Sequence, residues 1–334
     1  MHKRKSCLKQ SFCYFSKKNA VNLQLHPKSI VITGPTASGK TALAIKLAQN
    51  LTGEIISVDS RQFYKGMNIG TGKDLEEFGS VKHHLIDIAS AGDQLNISQF
   101  KKYFFEAHKE IINKGKQPIL CGGTANYLLS IFKKSKYTEV PVNDFLRVQL
   151  ELLEHQELID VVATYTIPKE YTIDTSTKKR CIRIIEVLTY LASNALLEDD
   201  TCTINPFIFG LNPPNELRRQ RITDRLNYRL QNGLIEEVQM LREKISDEQL
   251  VYYGLEYKYM CFYLNNTLSK QEAFSKLETE IHRYAKRQMT FLRKIEKEGF
   301  LIHWIPFDLS TESKIEFILE NLHKNKIDCF PKIQ

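Results

Sequence analysis

Residues 34–41 read GPTASGKT, the G-x-x-x-x-G-K-[ST] spacing of a phosphate-cradling loop. Gly34 and Gly39 let the backbone turn its amides inward, so Thr36, Ala37 and Ser38 offer N–H groups to an anion. Lys40 adds a point charge, and the Thr41 hydroxyl suits Mg²⁺. The pattern reports a di- or triphosphate ligand and leaves the reaction open. Asp59, in SVDSRQFYKG (57–66), is a second candidate. A carboxylate beside a phosphate loop can accept a proton; the plainer alternative is a capping or turn Asp. No strand ends in the four apolar residues and an acid that hold Mg²⁺ in nucleotide-hydrolysing members, so hydrolysis does not follow from the loop. His83 and His84 are adjacent, which is poor spacing for one metal and points to a structural role.

These residues need a scaffold, and the hydrophobic pattern supplies one. SIVIT (29–33) feeds the loop, and TALAIKLAQNL (41–51) has helical periodicity. EIISV (54–58) and LIDI (85–88) read as further strands, followed by an amphipathic helix over 98–115 closed by Gly115 and a strand PILC at 118–121. Strands alternating with helices imply right-handed crossovers and a parallel sheet. From about 137 to 201 only helical stretches appear, at 145–162 and 177–194. A strand returns at PFIFGL (206–211), then two long basic helices at about 215–244 and 269–297, then a last strand at LIHWI (301–305). The expected fold is α/β: a P-loop NTPase-like parallel sheet flanked by helices, with a helical insertion domain. Residues 29–136 and 202–334 form the core, residues 137–201 the insertion, and residues 1–28 a basic extension outside the fold.

Composition removes several classes. Hydrophobic residues make up 42% of the 334 and charged residues 26%, which suits a globular chain rather than a disordered one. No run of 18 apolar residues exists, so no membrane partner is expected. Seven cysteines, none spaced as C-x-x-C, argue against zinc ribbons and a disulfide framework, and favour a reducing compartment. The expected location is the cytoplasm, with organelle targeting by the basic N-terminal segment as the alternative. Of the net charge of +8, residues 1–28 supply seven basic groups and no acid, which leaves +1 for the rest. Nucleic-acid binding must therefore rest on local clusters: KKRCIR (178–183), with Lys179, Arg180 and Arg183; five arginines within 216–229; and 281–295, with Arg287. For any one of these charges the alternative is a solvated helix face.

The ordered blocks GPTASGKT (34–41), ISVDSRQFYKGMNIGTGK (56–73), HHLIDI (83–88), CGGTANY (121–127), KRCIRIIEV (179–187), RITDRLNYRLQNGLIEEV (221–238) and YAKRQMTFLR (284–293) resemble those of the tRNA dimethylallyltransferase family. The resemblance covers about residues 29 to 305. It implies transfer of a dimethylallyl group from dimethylallyl diphosphate to the exocyclic amine of the adenosine 3′ of a tRNA anticodon, with diphosphate released and Mg²⁺ as cofactor. It makes Asp59 the general base, with Lys40, Thr124 and Arg225 beside it in the catalytic set. It assigns the stretch Asp59, Ser60, Arg61 and Gln62 to the target nucleotide, Thr124 to adenine orientation and Arg225 to the diphosphate. Arg147 matches a family arginine on the insertion loosely. A monomer is expected. GGTANY stands where members usually read GGTGLY, and Thr177 where Asn is common, so Ala125, Asn126 and Thr177 put tRNA choice in question rather than diphosphate chemistry.

Three rival readings remain. A small-molecule P-loop kinase leaves the DSRQ and GGT blocks without a task. An adenylate isopentenyltransferase acting on AMP, ADP or ATP needs no basic clusters. An RNA-binding paralogue without activity would have no reason to keep Lys40 and Asp59.

Overall fold

The computed structural model describes residues 29–134, 136–194 and 203–325; the basic segment 1–28 lies outside them. In chain order the core elements are β1 (Ser29–Thr33), α1 (Lys40–Leu51), β2 (Gly53–Ser57), β3 (His83–His84), α2 (Ile97–Asn113), β4 (Gln117–Cys121) and α3 (Ala125–Phe132). Next come α4 (Asp144–Glu151), α5 (His155–Ala163) and α6 (Lys178–Ser193). The chain then returns with β5 (Pro206–Leu211), α7 (Asn215–Gln231), α8 (Leu234–Arg242), α9 (Asp247–Tyr253), α10 (Leu255–Leu264), α11 (Lys270–Lys297), β6 (Ile302–Ile305) and α12 (Thr311–Lys324).

The strands form one six-stranded sheet in the order β3-β2-β4-β1-β5-β6, and every pairing is parallel. A parallel sheet must be covered on both faces, and alternate residues of each strand divide accordingly. Val31, Ile56, Leu120, Ile208 and Ile302 join the apolar cluster that includes α2, α3, α7, α8, α10 and α11. Ile30, Ile32, Ile55, Ile119 and Phe209 face the other way, against α1 and α12. Because all strands run one way, the loops after β1, β2 and β4 open at a single edge, where open α/β folds place ligands.

Three elements differ from the sequence reading. The third strand is His83–His84 rather than 85–88; Leu85 and Asp87 have φ of +60° and +58°, which no strand tolerates. His84 Nε2–H donates to the Glu54 carboxylate at 2.7 Å, and the His83 ring packs against Phe78. The basic stretch 215–244 is two helices, because Gly233 sits at φ +99° between them. The stretch 145–162 also divides, at the α5 capping box of Glu154 and Glu157. By contrast α2 starts at the Asn96–Gln99 capping box and stops before Gly115 at φ +66°, close to the bounds the sequence gives.

The helices between α3 and β5 carry their own apolar cluster, which includes Leu150, Leu158, Cys181, Ile185 and Leu188. Glu186, buried on α6, ties them together. It accepts from the Asn143 amide at 2.7 Å, from Arg147 through Nε and Nη2 at 3.0 Å each, and from Arg183. Burial alone would raise this carboxyl, but Arg147, the Asn143 amide and Arg183 outweigh it and hold it below the usual range.

Candidate active site

The loop after β1 wraps as its sequence requires. Gly39 takes φ +86° at the N-terminus of α1, and Ala37 takes φ +60°. A Cβ on Gly34 would lie 2.6 Å from the Leu211 carbonyl oxygen, so no side chain fits where the loop passes β5. Ser38 is buried, and its Oγ has no hydrogen-bond partner among the described residues. Lys40 opens α1 and donates only to the Pro35 carbonyl, at 3.4 Å. Burial pulls its ammonium below the ordinary lysine range, against the opposing pull of Cys121 and Asp59. Thr41 lines the same cavity. Burial pushes the neighbouring Cys121 thiol up to about 11, against the opposing pull of Lys40 and Thr41.

Asp59 follows β2 at the same edge. Its Oδ1 accepts from the Arg61 amide at 3.1 Å, so the plainer turn-forming role is also filled. Beside it lies the loop after β4. The Thr124 amide donates to the Val58 carbonyl at 3.3 Å, and Thr124 Oγ1 accepts from the Ser60 amide at 3.3 Å. This contact is possible because the backbones nearly touch: a Cβ on Gly122 would sit 2.2 Å from the Val58 oxygen. Gln62 is held at both ends of its amide. Its Oε1 accepts from Ser57 Oγ at 2.8 Å, and its Nε2 donates to the Gly72 carbonyl at 3.2 Å.

Two helices from the second half of the chain close the cavity. Arg225 on α7 donates to the Thr36 hydroxyl, and Gln288 on α11 accepts from the Thr36 amide at 2.8 Å. Burial, then the neighbouring Arg229 charge, pulls the Arg225 guanidinium down to about 10. The cavity is thus lined by Lys40, Arg61, Arg225 and Arg229, with Asp59, Asp74 and Glu256 as the acids, and by Thr36, Thr41, Gln62, Tyr284 and Gln288. Desolvated cations beside a phosphate loop are what a departing diphosphate requires.

The far lip of the cavity is the stretch Gly70–Gly72, and a buried carboxylate shapes it. Glu237 on α8 accepts from the amides of Asn68 (2.8 Å), Ile69 (2.7 Å) and Gly70 (2.9 Å) and from the Tyr257 hydroxyl (2.9 Å). Glu237→Ala would orphan all of these donors. The expected cost is on the order of 3 kcal/mol or more, since each buried unpaired donor costs about 1–3 kcal/mol. A thermal melt checks this, and an unchanged Tm would mean the lip rearranges freely.

Lys40, Thr41, Asp59, Arg61, Gln62 and Arg225 therefore line one cavity, with Ser60 and Thr124 bonded at its rim. The insertion residues stand elsewhere. Arg147 and Arg183 line a separate cleft with Tyr127, Tyr137 and Tyr171, and both are paired with Glu186. Lys179 and Arg180 are exposed on α6, where Arg180 pairs with Asp174 at 2.5 Å. Arg287 is half exposed on α11 and 4.0 Å from Glu280. Sequence reasoning passed over Gln288, Tyr284, Glu256 and Glu237 as site residues. Tyr284 and Gln288 stand inside the block YAKRQMTFLR and Glu237 inside RITDRLNYRLQNGLIEEV, but neither block's spacing marks them.

Comparison with known proteins identifies the family. The family described as IPP transferase matches residues 62–295. The chain is 45% identical over 298 residues to the tRNA dimethylallyltransferase 2 of Bacteroides fragilis, covering 88% of this chain and 97% of that protein. It is 43% identical over 296 residues to the tRNA dimethylallyltransferase 2 of Porphyromonas gingivalis, covering 87% and 98%. The solved tRNA delta(2)-isopentenylpyrophosphate transferase of Staphylococcus epidermidis aligns with a TM-score of 0.65 at 30% identity, over 90% of this chain and 100% of that one. Matched by that family model over residues 62–295 and 45% identical to a relative of which it covers 97%, the chain belongs to the IPP transferase family.

Proposed function

We propose that this protein transfers a dimethylallyl group from dimethylallyl diphosphate to the exocyclic amine of the adenosine 3′-adjacent to the anticodon of tRNA and releases diphosphate. The observation that carries this reading is the shared cavity: the phosphate loop with Lys40 and Arg225 on one side, and the Asp59 turn with Thr124 on the other. As the allylic C–O bond lengthens, negative charge grows on the diphosphate, and Lys40 and Arg225 meet it in a water-poor setting. The adenine amine is a weak nucleophile, since its lone pair is delocalised into the ring. It becomes acidic as the new C–N bond forms, and Asp59 accepts the proton.

Magnesium fits this cavity only as a partner of the donor. Among the described residues no cluster of three His, Cys, Asp or Glu exists to cage an ion. The Thr41 hydroxyl, with donor oxygens and water, would hold it, as Mg²⁺ is commonly held by few protein ligands. Bound there, it would neutralise charge on the diphosphate. The insertion helices and the exposed bases Lys179, Arg180 and Arg287 supply the tRNA surface, and the protein works as a monomer. No helix among the described residues is long and apolar enough to cross a membrane.

Purified protein given labelled dimethylallyl diphosphate and separate pools of tRNA, AMP and ATP should label tRNA alone. Label on AMP or ATP would move the reading to an adenylate transferase. Affinity for tRNA should fall linearly in log–log form as salt rises, with a slope set by the phosphates neutralised. Salt-independent tRNA binding would contradict the assigned surface.

A further inference from the structure

Arg61, Tyr284 and Glu256 come from three distant parts of the chain and meet at the wall of the cavity. The Arg61 guanidinium carbon lies over the Tyr284 ring, 4.5 Å from its centroid, within cation–π range. Its Nη1 reaches the Glu256 carboxylate at 3.3 Å, and Glu256 also faces Arg229 Nη1 at 3.7 Å. Glu256 is nearly buried, with its side chain 6% exposed, while Arg61 keeps 23% of its own accessible. The Arg61 amide is fixed as well, through Asp59 Oδ1 at 3.1 Å. Behind the group the backbone is close-packed: a Cβ on Gly254, at φ +158°, would touch the Arg61 guanidinium at 3.4 Å. Backbone, charge and ring contact thus each constrain one arginine two residues from the candidate base.

A guanidinium bound only for charge neutralisation needs no aromatic backing. A planar cation laid on a ring, tethered by one carboxylate and still partly open to a cavity, is instead a surface on which a heteroaromatic base can lie. Enzymes that modify a base must take it out of its stack and replace the stacking it loses. From this arrangement we infer that Arg61, lying over Tyr284, is the stacking plate for the extruded acceptor adenine, and that Glu256 is the positioning residue that holds the plate in place. The inference rests on the acceptor being an RNA adenosine, as proposed above.

Arg61→Lys separates plane from charge: it keeps the cation and removes the flat face. A second variant, Tyr284→Leu, removes the backing ring and guards against a folding defect in the first. Glu256→Gln keeps shape and removes the tether's charge. Two readouts apply to each variant and to the wild type: steady-state transfer to tRNA, and fluorescence of a tRNA bearing 2-aminopurine at the target position, which brightens when the base leaves its stack. Arg61→Lys and Tyr284→Leu should each lower kcat/KM for tRNA about tenfold, the size one base stack carries. Both should dim the bound 2-aminopurine at saturating protein and leave the KM for dimethylallyl diphosphate unchanged. Glu256→Gln should shift both readouts in the same direction by a smaller factor. Wild-type kcat/KM and wild-type brightness in Arg61→Lys would overturn the plate, and a raised donor KM would reassign Arg61 to the diphosphate. If the wild type itself labels AMP and not tRNA, the functional reading fails first, and the two failures are told apart.

Discussion

Asp59→Asn should lower the rate of transfer to tRNA by about 10²–10⁴, the range general-base catalysis contributes. The substitution is well suited to the question, because the structural task of Asp59 survives it. Its Oδ1 accepts the Arg61 amide at 3.1 Å, and an asparagine oxygen can do the same. The turn that carries Ser60, Arg61 and Gln62 should therefore persist, and affinities for donor and tRNA should stay near wild type. What is lost is the capacity to take the amine proton. A single-turnover assay with both substrates saturating isolates that step. A variant that binds normally and retains near wild-type turnover would make Asp59 a positioning group and send the search for the base elsewhere.

Lys40→Met should lower transfer by about 10²–10³, the loss typical when one donor to a developing oxyanion is removed. Unlike most changes at a buried position it should not harm the fold. Among the described residues Lys40 makes one long hydrogen bond, to the Pro35 carbonyl at 3.4 Å, and burial already depresses its pKa. The unfolded chain binds this proton more tightly than the folded one. Wild-type stability should thus rise with pH through the window between the depressed value and the ordinary lysine value. Lys40→Met should lack that component and melt at or above the wild-type temperature. Donor affinity has the opposite sign. It depends on the protonated lysine, so it should weaken as pH rises through the depressed pKa, and titration calorimetry should find protons taken up on binding there. Equal donor affinity in Lys40→Met would remove the lysine from the diphosphate site.

How far the site was legible depended on how local its cause was. The phosphate loop could be read because its geometry is written in eight consecutive residues, and the strand and helix around it have clean periodicities. The Asp59 turn and the GGT loop were found as short blocks. The third strand was misplaced because LIDI has strand composition, while its conformation follows from what surrounds it. Asp87 pairs with the buried Lys73 at 2.5 Å, and Leu85 packs into the core at positive φ. Glu237 and Gln288 stand inside the quoted blocks, yet nothing local marks their roles, and the same holds for Glu256. A buried acid on an amphipathic helix looks like any surface acid until its partners, 168 residues away for the Ile69 amide, are brought to it. The arginine cluster on α7 shows the same limit from the other side. Read as a stripe for phosphates, it contains Arg229, which the fold turns inward, beside Arg225, which the family resemblance had already assigned to the diphosphate.

The Thr36 clamp also sets a timetable for synthesis. Thr36 and Gln288 are 252 positions apart, and Arg225 comes 189 positions after Thr36. At about 5–20 residues per second, the ribosome takes on the order of 10–50 s to extend the chain from one end of the clamp to the other. Until α7 and α11 have been made, the chain lacks the Arg225 and Gln288 side chains that hold Thr36 at the cavity. A chain that ends before α11 lacks Tyr284 and Gln288, and with Gln288 the acceptor for the Thr36 amide, so a prematurely terminated product should be inert.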